Sequence, residues 1–298
     1  MIRIESLSKK YGGRTVVDDV TFTARPGRVT GFLGPNGAGK STSMRMMVGL
    51  TRPLAGHVTI YDRSFVELPN PGRDVGVMLD ASAQHAGRTG REILSLARLT
   101  MGLPPERVSE MVQRVGLTES EAERRVGTYS LGMRQRLGIG VALIGAPSVL
   151  ILDEPANGLD PAGIRWMRDL LRAFADDGGT VLLSSHLLHE VGVIADDIVM
   201  IGRGRIVSQG SQAELLRGAG TVVRARDTEA LERALGDSGL LSTRTQDGAL
   251  HTDAEPTVVG LVACESGVPL TELRAAEGGL EEMFLALTAD TDREGRAA

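Results

Sequence analysis

Cysteine and lysine are scarce in this chain of 298 residues, and the scarcity narrows the possible chemistry. Cys264 is the single cysteine, which excludes an intramolecular disulfide and a cysteine-cluster metal site, as suits a reducing cytosol. We expect Cys264 to be a small buried hydrophobic residue. Lysine occurs only at Lys9, Lys10 and Lys40, so a lysine inside a motif carries particular weight.

Long hydrophobic runs are also missing. Residues 1–10 alternate between apolar and polar and have no continuous apolar stretch of the kind found in a signal peptide. The most apolar segment, residues 137–152, is interrupted by glycine and proline and falls short of the roughly 20 residues needed to cross a bilayer. We therefore expect no membrane-spanning segment, and any transport pathway would belong to another polypeptide.

The chain has no excess of positive charge. Its formal net charge is -5, so its bulk electrostatics would not attract nucleic acid or an anionic bilayer, and we expect no nucleic-acid partner. Its length and its hydrophobic content of 42% suffice for a full core and favour one large domain plus a small one.

Short β-branched runs alternate with helical patterns as far as about Gly210, which is typical of an α/β fold with a largely parallel sheet covered by helices. Residues 16–24 alternate more strictly and predict an antiparallel part, which makes the β-structure mixed. A helical pattern predicts an inserted helical subdomain at about residues 88–145. The predicted main-sheet strands are residues 29–33, 149–152, 180–183 and 198–201.

A glycine-rich joint at residues 217–220 predicts a boundary between a first domain, residues 1–217, and a small α+β domain, residues 221–288. The second domain is predicted to have a βαββαβ order, as in a ferredoxin-like unit, with a closing helix at residues 280–287. Residues 289–298 are polar enough to form a disordered tail. The predicted elements are a strand at 221–226, a helix at 228–235, a hairpin at 241–252 turning at Asp247-Gly248, a helix at 254–265 and a strand at 269–274.

A phosphate-binding motif occupies residues 34–41, between a predicted strand and a helical run, and its letters GPNGAGKS fit G-x-x-x-x-G-K-[ST]. Successive backbone N–H groups of such a P-loop turn towards phosphate oxygens, and the following helix adds its positive dipole end. Lys40 would neutralise the β and γ phosphates, and the Ser41 hydroxyl would bind Mg²⁺. An ordinary glycine-rich turn is the alternative. The predicted ATP-binding residues here are Gly34, Pro35, Asn36, Gly37, Ala38, Gly39, Lys40, Ser41 and Thr42.

Two acids follow a second predicted strand. Asp153 and Glu154 come directly after the apolar residues 149–152, where a buried parallel strand would end beside the nucleotide. Asp153 would hold the Mg²⁺ shell, and Glu154 would act as a general base or position the attacking water. The alternative is that the two acids only cap a strand before a turn at Pro155. The presence of the P-loop in the same chain argues against this alternative.

Further segments make the chain resemble the ATP-binding subunits of ABC transporters from about Arg3 to Gln212. Residues 129–136, YSLGMRQR, are similar to the family signature, with Y-S-L-G-M where the consensus has L-S-G-G-Q. The resemblance implies that the segment Ser130, Leu131, Gly132 and Met133 contacts ATP held by a second subunit, through a serine hydroxyl and helix N-terminal amides. Without the resemblance, Ser130 would be only a helix N-cap.

Residues 156–160 resemble the family's D-loop. By this resemblance Asp160 helps communication between paired sites. As an alternative, Asn157-Gly158 is an ordinary turn and Asp160 caps a helix that opens at Pro161. The two interpretations are compatible.

His186 and Tyr11 also lie at positions where the family has a functional ring side chain. Ser184-Ser185-His186 follows a predicted strand and resembles the segment with the switch histidine, so His186 would contact the γ phosphate. A lone histidine is more often structural, which is the alternative. Tyr11 lies where the family stacks an aromatic ring on adenine.

One position departs from the family pattern. Asp80 ends a predicted strand at residues 75–80, where the family usually has a glutamine that contacts Mg²⁺ and leads into the loop coupled to the transmembrane partner. An ionised Asp80 can ligate Mg²⁺ as a hard oxygen donor but cannot donate a hydrogen bond. Gln84 is the second candidate for this role.

The resemblance implies an Mg²⁺-dependent ATPase that works as a homodimer, with ATP enclosed between the P-loop of one copy and the Ser130 segment of the other. It also implies a separately encoded transmembrane permease and a peripheral location on the cytoplasmic face of the cell membrane. The single nucleotide domain, the SLGMRQRL variant and the C-terminal extension resemble bacterial drug and antibiotic exporter subunits of the daunorubicin-resistance type.

Two other classes of protein stay open. A soluble ABC ATPase with a role in repair, assembly or translation is one, although such proteins usually carry two nucleotide domains, large insertions or zinc clusters. A catalytically silent binding module is the other, and the joint presence of Lys40, Asp153, Glu154 and His186 argues against it.

Overall fold

The structure is a computed structural model that describes residues 1–187, 191–217, 220–245 and 247–276. Two compact units make up the chain, the first spanning Met1–Gln209 and the second beginning at Gly210. The strands that begin in the first unit are β1 Ile2–Tyr11, β2 Arg14–Ala24, β3 Arg28–Leu33, β4 Ala55–Ile60, β5 Val75–Met78, β6 Val149–Leu152, β7 Thr180–Ser185, β8 Asp197–Gly202 and β9 Arg205–Ser211.

These strands form two sheets. A six-stranded sheet has the order β5-β6-β7-β3-β8-β9, and its strands from β5 to β8 run parallel. A three-stranded antiparallel sheet has the order β2-β1-β4. Every residue of β6 and β7 is buried, which explains why the sequence of β6 is continuously apolar rather than alternating. The predicted mixture of parallel and antiparallel structure is therefore confirmed.

Helices pack against strands of both sheets and also form the predicted insertion. The helices of the first unit are α1 Lys40–Met47, α2 Pro71–Asp74, α3 Gly90–Thr100, α4 Glu106–Arg114, α5 Glu119–Ala122, α6 Leu131–Leu143 and α7 Pro161–Asp176. Helices α3 to α6 all fall within the predicted helical subdomain. Thr89 and Thr118 open α3 and α5 with capping boxes, in which the threonine side chain and a glutamate three residues later satisfy free backbone N–H groups.

The second unit has the predicted βαββαβ order after a short helix, α8 Gln212–Arg217. Its antiparallel sheet has the order β11-β12-β10-β13. Two helices cover one face of this sheet, and Val223, Leu231, Leu250 and Val259 belong to the shared core. The elements are β10 Thr221–Ala225, α9 Thr228–Asp237, β11 Ser242–Arg244, β12 Leu250–Thr252, α10 Pro256–Glu265 and β13 Leu270–Ala275. The predicted closing helix at 280–287 and the tail at 289–298 lie outside the described residues.

Cys264 does not have the expected environment. It is exposed on α10, whereas Val259 and Ala263, four residues apart, face the core of the second unit. Each helical residue is turned by about 100° from its neighbour, so Cys264 points away from the face that Ala263 presents. The prediction of a buried cysteine was wrong because it rested on the residue type and not on the helix face.

Candidate functional site

The carboxyl ends of four neighbouring parallel strands meet at one edge of the central sheet. Along the order β5-β6-β7-β3, the residues that follow these ends are Asp80, the pair Asp153-Glu154, His186 and the P-loop. Leu152 pairs with Leu183 and Leu33 with Ser185, so the four strands end within two residues of one another. Residues far apart in the sequence are thereby brought into one row, at the edge where α/β proteins bind ligands.

The P-loop between β3 and α1 is held by its neighbours. The N–H of Gly34 donates to the carbonyl oxygen of Ser185 (3.3 Å), and the N–H of Gly204 donates to that of Ala38 (3.0 Å). A Cβ atom at Gly34 would lie 2.2 Å from the carbonyl oxygen of Ile201, so only glycine fits there without a backbone shift. The path of the loop is therefore fixed by the backbone of the strands on either side.

Lys40 is the first residue of α1 and is 5% exposed. Its Nζ donates to the carbonyl oxygens of Gly34 (2.6 Å) and Pro35 (3.3 Å) and lies 3.5 Å from Oε1 of Glu154. The three N–H groups of the ammonium thus have three oxygen neighbours. This arrangement places a buried positive charge between the P-loop and the carboxylate of Glu154.

The Glu154 carboxylate has a polar neighbour on each side. Its Oε2 lies 2.9 Å from Nδ1 of His186, so the two carboxylate oxygens face His186 on one side and Lys40 on the other. The φ of Glu154 is 49°, in the left-handed region that residues other than glycine rarely adopt. Such strained conformations persist only where surrounding contacts enforce them, and they concentrate at functional sites.

Two side chains to which the sequence analysis gave no role contact this pair of acids. The Ser184 hydroxyl donates to Oδ1 of Asp153 and accepts from the N–H of Glu154 (3.0 Å). The Nε2 of Gln135 donates to the carbonyl oxygen of Glu154 (3.2 Å). The contact with Ser184 follows from the pairing of Leu152 with Leu183, because the next residues on β6 and β7 then lie side by side. A correct strand register would have revealed it.

Asp80 shares a pocket of about 260 Å³ with Asp153 and Glu154. Its Oδ1 accepts hydrogen bonds from the N–H (2.7 Å) and the hydroxyl (2.6 Å) of Ser82. These bonds hold the pKa of Asp80 below its ordinary value, so the carboxylate is ionised at neutral pH. Asp80 thus lines the pocket that contains both acids, whereas Gln84, the second candidate, is not among its lining residues.

Ser130 and Asp160 both begin helices. The Ser130 hydroxyl accepts from the N–H of Met133 (3.2 Å) at the start of α6, and an Asp160 carboxylate oxygen accepts from the N–H of Gly163 (2.9 Å) at the start of α7. Both N-caps foreseen in the sequence are therefore present. Ser130 and Leu131 are exposed, so the first turn of α6 is accessible for a contact outside the chain.

The aromatic ring of Tyr11 is half exposed at the end of β1. The Nζ of Lys9 lies 5.1 Å from the centre of this ring, which is within the range of a cation–π contact. The exposed part of the ring is a flat apolar surface on which an adenine could stack.

Neither a closed metal cage nor a membrane span occurs in the described ranges. Within them, no three or more histidine, cysteine, aspartate or glutamate side chains are grouped so that they could hold a metal ion. The helices found there are too short or too polar to extend through a bilayer.

Comparison with known proteins gives consistent matches. A family model described as ABC transporter matches residues 17–157. The chain is 36% identical to the ABC transporter ATP-binding protein YhcH of Bacillus subtilis (strain 168), over 99% of this chain and 98% of that protein. It is 35% identical to the daunorubicin/doxorubicin resistance ATP-binding protein DrrA of Streptomyces peucetius, over 96% of this chain and 92% of that protein.

Solved structures match more than two thirds of this chain. An ATP-binding subunit of an ABC transporter has a TM-score of 0.67 and 28% identity, covering 73% of this chain and 92% of that one. A dimeric bacterial ABC transporter cassette has a TM-score of 0.64 and 22% identity, covering 71% of this chain and 99% of that one. The fold is therefore shared with both structures.

Proposed function

Because the chain belongs to the family of ABC transporter ATP-binding proteins, we propose that it hydrolyses ATP to power the export of a drug or antibiotic through a separately encoded transmembrane partner. The observation that carries this proposal is the position of Glu154 between the Lys40 ammonium and the His186 imidazole, at the carboxyl end of the central sheet. A carboxylate for the attacking water and a cation for the phosphates are the groups that hydrolysis of ATP requires.

Each of these side chains has a defined role in hydrolysis. Lys40 and the N–H groups of the P-loop neutralise and surround the β and γ phosphates. Glu154 orients the attacking water and accepts its proton, while His186 contacts the γ phosphate. The water oxygen bonds to the γ phosphorus as the bond to the bridging oxygen breaks, which yields ADP and phosphate. Tyr11 stacks on the adenine.

The oxygen donors of the site suit Mg²⁺. Ser41 follows Lys40 at the start of α1 and carries a hydroxyl oxygen. Asp153 and Asp80 both line one pocket. All three residues therefore carry the hard oxygen atoms that Mg²⁺ prefers. A complete protein cage is not needed, since Mg²⁺ in nucleotide sites is usually held by one or two carboxylates together with phosphates. When bound, the ion would offset negative charge on the β and γ phosphates.

The second half of the site comes from another copy of the chain. A cassette with the same fold is dimeric. The segment from Ser130 to Met133 opens the 13-residue helix α6, whose N-terminal N–H groups and dipole favour an anionic ligand. In the proposed homodimer this turn contacts the γ phosphate bound to the partner copy's P-loop, and Asp160 at the start of α7 transmits closure between the two sites.

The transmembrane partner is inferred from the relatives. One of them is named for resistance to daunorubicin and doxorubicin, which suggests a hydrophobic drug or antibiotic as cargo. The chain would then act on the cytoplasmic face of the membrane, bound to a permease. Affinity purification from detergent-solubilised membranes tests this point. Co-purification of a multi-spanning protein supports transport, whereas co-purification of ribosomes or assembly scaffolds favours a soluble ABC ATPase.

Replacement of the proposed base tests the hydrolytic role. Glu154→Gln keeps the size of the side chain but cannot accept the proton, so we expect ATP binding to persist and a closed dimer to accumulate. Phosphate release should fall by about 100-fold or more. Size-exclusion chromatography with ATP and a phosphate-release assay measure the two effects. Glu106→Gln, on the exposed first turn of α4, is the matched control. An unchanged hydrolysis rate in Glu154→Gln would refute the assignment.

A further inference from the structure

The peptide units on both sides of Glu154 are held by two side chains from different elements. The N–H of Glu154 donates to Oγ of Ser184 on β7 (3.0 Å), and its carbonyl oxygen accepts from Nε2 of Gln135 on α6 (3.2 Å). We propose that Ser184 and Gln135 are positioning residues for hydrolysis, which hold Glu154 in its left-handed conformation. This inference rests on the proposed function, because it assumes that Glu154 acts on the attacking water.

Ser184 serves both acids at once. Its side chain is fully buried, and the hydroxyl can donate only one hydrogen bond, which goes to Oδ1 of Asp153. Its lone pairs remain available for the N–H of Glu154. One hydroxyl therefore holds both the carboxylate of Asp153 and the backbone N–H of Glu154.

Gln135 links the same residue to the helix that begins with the signature segment. Its side chain is 5% exposed, and only the NH₂ group can donate to a carbonyl oxygen, which fixes the orientation of the amide. Its Oε1 is buried and has no hydrogen-bond partner among the described residues. The hydrogen bond from Nε2 to the carbonyl oxygen of Glu154 is therefore the one that this side chain makes with them. A buried amide with one partner at a strained residue is expensive to retain for packing alone.

The two hydrogen bonds matter because of the backbone conformation. At a φ of 49°, Glu154 is in a region that an unrestrained glutamate would leave. Rotation about the N–Cα bond of Glu154 would redirect the side chain and separate its carboxylate from Lys40 and His186. The bonds from β7 and α6 therefore maintain the geometry on which the reaction depends, and α6 connects that geometry directly to the turn at Ser130.

The test uses the full chain and two independent substitutions. Ser184→Ala removes the hydroxyl, and Gln135→Met removes the donor at nearly constant volume. We expect each to lower kcat for ATP hydrolysis by about 10- to 100-fold, as is usual for groups that orient a reacting residue, with KM changed by less than about 3-fold. ATP-dependent dimer formation should persist, because the P-loop and the Ser130 segment are unaltered. Ser184→Thr, which keeps the hydroxyl, should recover activity relative to Ser184→Ala.

Matched controls separate positioning from packing. Thr180→Val removes another buried hydroxyl at the opposite end of β7, and Gln113→Met changes an exposed glutamine on α4. Both should keep the kcat of the wild-type chain. The inference is overturned if Ser184→Ala and Gln135→Met keep kcat within about 2-fold, or if Thr180→Val loses as much activity as Ser184→Ala. Equal rates in the wild-type chain and Glu154→Gln would instead refute the proposed function, and this inference with it.

Discussion

Gly34→Ala tests whether the backbone of the central sheet fixes the P-loop. A Cβ atom there would lie 2.2 Å from the carbonyl oxygen and 2.9 Å from Cγ2 of Ile201 on β8. Close contacts between carbon and carbonyl oxygen are roughly 3.3 Å or longer, so the loop would have to move by about 1 Å. A shift of that size would also disturb the 2.6 Å hydrogen bond from Lys40 to the carbonyl oxygen of Gly34.

The expected loss has two parts. Overpacking of this kind lowers the free energy of unfolding by about 1–3 kcal/mol. Weakening a hydrogen bond to a charged group removes about 1.5–3 kcal/mol more. If both contacts are affected, Gly34→Ala should destabilise the chain by roughly 2.5–6 kcal/mol, a large fraction of the stability of an ordinary domain. ATP affinity should fall as well, since Lys40 would be displaced from the phosphate position.

Gly37→Ala supplies the matched control. Gly37 has a φ of 80°, and a Cβ atom at this position would have no neighbour within 4 Å among the residues of the described structure. The substitution therefore adds only backbone strain, which destabilises by about 1–2 kcal/mol. Urea denaturation followed by circular dichroism gives both free energies of unfolding, and calorimetric titration compares the ATP affinity of Gly34→Ala with that of the wild-type chain. If Gly34→Ala loses no more stability than Gly37→Ala, the contact with Ile201 does not fix the loop.

Three further outcomes are expected. Ser130→Ala and Thr118→Ala each remove an N-cap, so each should lower the free energy of unfolding by about 1 kcal/mol, but only Ser130→Ala should slow phosphate release. Equal phosphate release in the two variants would contradict the role proposed for Ser130. Burial opposes ionisation of Asp196, but hydrogen bonds from Arg172 and the N–H of Val29 hold the pKa of its carboxyl below the ordinary 3.8. The resulting stabilisation is present above the unfolded pKa of 3.8 and is lost as pH falls through the lower folded value. Asp196→Asn should therefore lose about 1.5–3 kcal/mol near neutral pH and less in strong acid, as urea denaturation at the two pH values can show. A loss that is the same in acid would count against this reasoning. Removal of Mg²⁺ with a chelator should stop phosphate release and its return should restore it, and full activity in the chelator would exclude the proposed metal role.

Much of the central sheet could be predicted because a buried parallel strand leaves a continuous apolar run. The predicted strand at 149–152 coincides with β6 at both ends. The strand predicted at 180–183 ends two residues too early, because Ser184 and Ser185 continue β7 with polar side chains that a hydrophobic pattern does not include. A hydrophobic pattern therefore predicts strand ends least well where the last residues are polar and belong to the site.

The candidate site was predictable where a local motif defines it. The P-loop glycines, Lys40 and the acids Asp153 and Glu154 are recognised from spacing within a few residues. The contacts of Ser184 and Gln135 depend on strand register and on how α6 packs, and the two residues are respectively 30 and 19 positions from Glu154 in sequence. Spacing within a motif contains no information about such long-range contacts.

The row of strand ends is built by pairing within the sheet, and the helical insertion reaches it through Gln135 on α6. Residues 79–148 connect β5 to β6 and contain the whole helical insertion, yet both strands keep their places through pairing within the sheet. Mutations that lengthen or resurface α3 to α5 can therefore accumulate while the distance between Asp80 and Asp153 stays the same. The surface of α3 to α5 can diverge in this way while the residues of the reaction centre are kept.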